Sequence, residues 1–248
     1  MTVATTSLAP ANSTRGEWAR FGAFLTRPVL PERAEPFRLA NAAAVLRLLL
    51  LDLIVMGGLV AIAGLVMSSG IDIPKTALAG MELGPLLVFF AVLVAPIAEE
   101  VIFRGWVSGR PGHVLALLIL GAAALVMSSD LTRSQEAINW KAISVASAAF
   151  VSAILAIVLL RRRGAMGWCQ RIFPLLFWIS CLLFAGVHLM NFSGNEWWTI
   201  LPLVLPQLSV GTMLGYLRVN YGLWSSMLLH ILHNGAFISL VLLATSAT

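Results

Sequence analysis

ANAAAVLRLLLLDLIVMGGLVAIAGLVMS, residues 40–68, decides the architecture. The stretch carries only two charges, Arg47 and Asp52. It is longer than the about 20 apolar residues with which a helix crosses a hydrocarbon core about 30 Å thick. Its apolar residues do not alternate with polar ones, so it does not read as a strand of a membrane barrel. Comparable runs recur at 83–105, 113–129, 142–160, 173–191, 198–217 and 223–245. The expected fold is therefore all-α: a polytopic transmembrane bundle of about seven spans. Composition agrees, because only 11% of the 248 residues are charged and 59% are hydrophobic. A soluble domain carries about 25% charged residues on its wet surface.

The net charge of +5 does not point to nucleic acid, because the basic residues lie between the hydrophobic runs. They act there as topology signals and as contacts to anionic lipid. With a cytoplasmic N-terminus, twelve basic residues fall on inner segments, including Arg161-Arg162-Arg163, and only Lys75, Arg133 and Lys141 fall outside. That bias supports both the number of spans and their orientation. Residues 1–38 form a cytoplasmic N-terminal segment with no early apolar core, hence no cleavable signal. Within it Thr14 to Glu17 fits a capped helix start, and Trp18, Phe21, Phe24 and Leu25 follow at helical spacing until Pro28. An amphipathic helix lying at the membrane interface is expected. Residues 39–248 then form one transmembrane domain. Cys169 and Cys181 suggest neither a disulfide nor a metal site.

Ionisable residues inside a bilayer are costly, about 2.5–3.5 kcal/mol at a helix centre, so each needs a reason. Here they gather in three places. In Pro96-Ile97-Ala98-Glu99-Glu100-Val101-Ile102-Phe103-Arg104, Glu100 and Arg104 share a face and can pair. Glu99 points about 100° away and is free for other work, unless both acids merely end the helix at the headgroups. Phe184-Ala185-Gly186-Val187-His188 brings one histidine, which by itself could equally be a packing residue. His230-Ile231-Leu232-His233-Asn234 brings a histidine and an amide on one face, able to bind a neighbouring helix or an oxyanion. His233 has no evident role, and Arg47 with Asp52 reads as a structural pair or as membrane-edge residues. A carboxylate, two histidines and an amide make a hydrolytic set. The same Glu and His side chains could also ligate zinc.

These residues, taken in order as Glu99-Glu100-x-x-x-Arg104, Phe184-x-x-x-His188 and His230-x-x-x-Asn234, resemble the three motifs of the CPBP family. Its members are the CAAX prenyl protease and bacteriocin-processing intramembrane peptidases, also called Abi. The resemblance covers roughly residues 80–245 and includes Phe103-Arg104-Gly105. It implies an integral protein of a bacterial inner membrane that hydrolyses a membrane-associated peptide. It implies further that Glu99 and His188 activate water, His230 and Asn234 hold the oxyanion, and Glu100 and Arg104 shape the site. A metal, if used, would fall to Glu99, His188 and His230; the choice between no cofactor and zinc stays open. The wider gap between the first two motifs makes 113–160 an inserted helical pair. The span limits also set Glu99 and His188 about ten residues apart in depth, or roughly 15 Å.

Two other functions use similar residues. A proton-coupled transporter also carries intramembrane Glu and His, but should show internal repeats with matching broken helices, and none is visible. A catalytically inactive membrane scaffold would keep the fold and tolerate loss of Glu99.

Overall fold

The computed structural model describes residues 11–74, 76, 81–131, 139–192 and 197–246. Among them there is no strand, only an isolated bridge between Thr76 and Phe192. Lys75, Arg133 and most of the 1–13 tail lie outside the described residues.

The chain opens with α1 (Thr14–Thr26) and α2 (Ala42–Ser68). The second span is composite: α3 (Pro85–Phe89), a π-helical segment (Phe90–Val94) and α4 (Ala95–Arg104) follow without a break. A turn at Trp106–Ser108 leads to α5 (Pro111–Leu131) and α6 (Trp140–Leu159). Then come α7 (Gly167–Arg171), α8 (Phe173–Val187), α9 (Trp197–Ile200), α10 (Leu205–Tyr221) and α11 (Leu223–Ser246). Proline stands in the first turn of α3, α8 and α10, where the missing N–H has no intrahelical partner to lose.

Among the described residues, six helical stretches are long and apolar enough to cross a membrane: Leu39–Ser68, Pro85–Ser108, Pro111–Ser128, Trp140–Leu159, Phe173–Asn191 and Leu223–Leu243. The seventh expected run, 198–217, is instead divided between α9, a 3₁₀ turn (Leu201–Val204) and α10. Pro202 and Pro206 account for the interruptions. From Val210 to Tyr221 every residue of α10 is buried, so this helix is the axis on which α2, α8 and α11 pack. Gly211 and Gly215 make that packing possible. A Cβ at position 215 would lie 2.7 Å from the Phe177 ring, and one at 211 would lie 3.1 Å from Phe184.

Polarity is inverted relative to a soluble protein. Leu65, Leu86, Leu118, Leu125 and Phe150 face outward, whereas Glu17, Asp52, Glu100, Arg104 and Arg218 are buried. An apolar exterior around a polar interior suits hydrocarbon solvent, and the chain is an integral multi-pass membrane protein. Helices α5 and α6 pack chiefly on each other and join the rest through the Trp106–Ser108 turn, so they form a hairpin beside the main bundle.

The N-terminal helix forms where expected, but its surroundings differ from a free interfacial helix. Ser13 is the cap, its Oγ accepting from the Gly16 N–H at 3.1 Å, so Glu17 falls one position too late for a capping box. The Glu17 carboxylate instead accepts from the Tyr216 and Tyr221 hydroxyls, each at 2.8 Å, and from the Ala11 N–H at 2.9 Å. Phe24 packs edge-on against Phe177 and Tyr216. The aromatic face that could have met lipid is taken up by the bundle.

Candidate active site

The π-helical segment sets the geometry of the first motif. Proline at 96 offers no N–H and its ring crowds the carbonyl one turn earlier, a conflict that a widened turn relieves. The Ala95 N–H accordingly reaches back five residues to the Phe90 carbonyl. After this turn α4 presents Glu99 and Glu100 on different faces, as their 100° separation requires.

Glu100 turns into the bundle and is fully buried with Arg104. Arg104 Nη1 donates to Glu100 Oε1 at 3.0 Å, which realises the expected pair. The guanidinium also lies 3.7 Å above the Phe184 ring, so the face of that ring shares the cation. Sequence reading recognised Phe184 only as a spacing landmark. Its ring supports Arg104, and its carbonyl lies 2.7 Å from His188 Nδ1. A carbonyl can only accept, so Nδ1 carries the proton and a neutral His188 points the lone pair of Nε2 away.

That lone pair faces Glu99: His188 Nε2 and Glu99 Oε2 are 4.0 Å apart. His230 reaches the same oxygen, with Nε2 at 3.7 Å, while its Nδ1 lies 3.1 Å from Glu100 Oε1. His230 therefore bridges the two adjacent glutamates. Glu99 Oε2 itself has no hydrogen-bond partner in the protein. Exposure separates the roles: the side chains of Glu99 and His188 remain 29% and 18% accessible, that of His230 only 4%. The first two are the more open, and His230 is held deeper between the glutamates.

The expected depth gap of roughly 15 Å between Glu99 and His188 does not occur. Ser180 Oγ donates to the Phe103 carbonyl at 2.7 Å, and the Phe103 and Phe184 rings are 5.6 Å apart. Phe103 thus stands level with Ser180 and Phe184. One turn back on α4 leads to Glu99, one turn on from Phe184 leads to His188, and the two meet. The expectation aligns the ends of the two spans, whereas packing sets Phe103, near the end of α4, beside Ser180 in the middle of α8, and the second span also runs on to Ser108.

Asn234 lies one turn beyond His230 on α11, and its Nδ2 donates to the Ala91 carbonyl at 2.8 Å. His233 faces another way: its Nδ1 lies 2.6 Å from Oδ2 of the fully buried Asp52. Asp52 therefore pairs with His233 and not with Arg47. Five positions apart, Arg47 and Asp52 stand about 140° apart around α2. Arg47 donates to the Ala11 carbonyl, and its own carbonyl accepts from Trp18 Nε1 at 2.7 Å.

Glu99, His188 and His230 are suitable zinc donors by type. Separations of 3.7 and 4.0 Å, however, exceed the about 3.3 Å between ligands on a tetrahedral ion with bonds of about 2.0–2.1 Å. No group of three or more His, Cys, Asp or Glu able to hold a metal ion occurs among the described residues. Cys169 and Cys181 are free and buried, and burial pushes the Cys169 thiol up, away from the reactive thiolate.

No curated protein and no solved structure matches the chain. A family model does, over residues 81–236, more than half of the chain and a stretch that contains all three motifs. Its description is Type II CAAX prenyl endopeptidase Rce1-like. The three motifs read on separate helices thus meet at one site in a chain that belongs to the Rce1-like family of membrane-embedded CAAX endopeptidases.

Proposed function

We propose that the protein is a glutamate-type intramembrane endopeptidase that cleaves a lipid-anchored, CAAX-type peptide with water activated by Glu99. The observation that carries this reading is the convergence of Glu99 Oε2 with the Nε2 atoms of His188 and His230, at 4.0 and 3.7 Å. A water placed there donates one hydrogen bond to Glu99 and the other to the His188 lone pair, leaving an oxygen lone pair for attack. Glu99 takes up the proton as the water oxygen bonds to the scissile carbonyl carbon. The carbonyl electrons move onto oxygen and are met by His230. His230 stands between the two carboxylates, and in a site of low dielectric a hydrogen bond from it to the forming oxyanion is worth more than in water. Collapse of the tetrahedral intermediate breaks the C–N bond, and the leaving amine recovers the proton from Glu99. No step requires a metal, and the donor spacing suits a water better than a zinc ion.

The cation bias of the loops supports a cytoplasmic N-terminus, as in an enzyme of the bacterial inner membrane. Membership in a CAAX endopeptidase family supports a substrate tethered by a prenyl group. The test is cleavage of a prenylated C-terminal peptide by protein reconstituted in lipid vesicles. Glu99→Gln should abolish cleavage while unfolding as wild type does, because Glu99 Oε2 makes no hydrogen bond that the substitution breaks. Equal activity of Glu99→Gln and wild type would end the hydrolase reading.

A further inference from the structure

We infer that Asn234 is a positioning residue, which holds the π-helical turn of the second span open by capping the Ala91 carbonyl and so sets Glu99 against the histidines. The inference rests on Glu99 being the base, but the geometry behind it does not.

Ala91 has lost both of its ordinary backbone donors. In an α-helix its carbonyl would accept from the Ala95 N–H, but that N–H is given to Phe90. In a continued π register the donor would come from position 96, and proline has none. A carbonyl orphaned inside an apolar helix is costly in a membrane. The Asn234 amide removes the cost with a 2.8 Å hydrogen bond from a different helix. Gly235 follows directly, and a Cβ there would meet Val92 at 3.6 Å, so α11 runs close along the π turn.

The consequence reaches the base. A π turn inserts one extra residue relative to the α register, which rotates everything after it by about 100° around the helix axis. Glu99 lies one turn beyond Pro96. If the turn relaxed to α, the face now showing Glu99 to His188 and His230 would show another residue. His230 and Asn234, one turn apart on α11, thus hold the same strand of chain at two points: His230 at the Glu99-Glu100 pair, Asn234 at the turn that aims it.

The test uses the dependence on proline. Alanine at 96 supplies the missing N–H, so Ala91 no longer needs Asn234. Wild type, Asn234→Ala, Pro96→Ala and the double variant are compared for thermal unfolding in detergent and for kcat and KM on a vesicle-bound prenylated peptide. Asn234→Ala should lower kcat with little change in KM and lower the melting temperature. In the Pro96→Ala background the same substitution should cost at least about ten-fold less in rate, a coupling within the range of contacting residues. It should also leave the melting temperature nearly unchanged there. A residue that only donates to the oxyanion predicts equal rate losses in both backgrounds and no stability loss, and that result would overturn the inference. Should Pro96→Ala not fold, the structure of Asn234→Ala alone decides. Reversion of residues 90–95 to α register supports the role, and an unchanged π turn with Glu99 in place refutes it. Because unfolding and structure need no substrate, they stand even if Glu99 proves not to be the base.

Discussion

Glu99 and Glu100 are neighbours in sequence, yet conservative replacement of each should fail in a different way. Glu100 Oε1 accepts from Arg104 Nη1 at 3.0 Å and lies 3.1 Å from His230 Nδ1, in a side chain with no exposure. Glutamine preserves the shape and still accepts a hydrogen bond, but removes the charge opposite a fully buried guanidinium. Arg104 would then face a neutral amide oxygen, the Gly211 carbonyl at a long 3.5 Å and the Phe184 ring, with the Glu100 countercharge gone. Breaking a buried pair by removing one partner costs about 3–5 kcal/mol. Since glutamine retains the acceptor, the lower end, about 3 kcal/mol, is expected for Glu100→Gln. That is a large share of a typical stability of about 5–15 kcal/mol. The measurement is unfolding in mixed detergent micelles, beside cleavage. Glu100→Gln should unfold far more readily, whereas Glu99→Gln should not. Adding Arg104→Met to Glu100→Gln should restore much of the stability by removing the orphaned cation, without restoring activity. Wild-type stability in Glu100→Gln, or no recovery in the double variant, would refute the assignment of Glu100 and Arg104 as a mutually dependent buried pair.

Glu17→Ala should leave two tyrosine hydroxyls and the Ala11 N–H without their acceptor, each about 1–3 kcal/mol if unsatisfied, and release α1; limited trypsinolysis at Arg15 and Arg20 should accelerate before the bundle unfolds. Dialysis against a strong chelator should leave cleavage intact, and loss of activity restored by added zinc would replace the glutamate-type mechanism with a metal-dependent one. A reporter fused after Arg163 should be read in the cytoplasm and one fused at Asn195 on the outer side; the reverse would invert the proposed topology.

The transmembrane class and most helix positions are legible because the bilayer imposes one strong rule: about 20 apolar residues per span, with cations between. That rule fails for α10. A helix wrapped by other helices meets no lipid, so it can be shorter and carry Thr212, Arg218 and Asn220, and no sequence threshold finds it reliably. The pairing of Glu100 with Arg104 is legible because both sit on one helix, where a spacing of four fixes proximity. Asp52 with His233, Glu17 with Tyr216 and Tyr221, and Asn234 with Ala91 are contacts between helices, whose register no local spacing encodes. The one signal available was negative. Each is a polar group where hydrocarbon forbids an idle one, so each had to have a partner somewhere in the bundle.

That requirement also explains why the site is assembled as it is. A water-activating carboxylate inside a membrane needs polar neighbours, and each neighbour in turn needs its own, or the helix carrying it will not stay buried. The chain solves this by nesting. Glu99 faces His188 and His230, His188 is held by the Phe184 carbonyl, His230 by Glu100, Glu100 by Arg104, and Arg104 by the Phe184 ring and Gly211. Each step outward exchanges a reactive group for a more inert one, ending at backbone carbonyls and an aromatic face. Glu99, Glu100 and Asp52 each keep one oxygen that no protein donor satisfies, but of the three only the Glu99 side chain is exposed. In a bilayer, where an unsatisfied carboxylate oxygen is among the most costly atoms a fold can keep, Glu99 is the place to expect a reacting water.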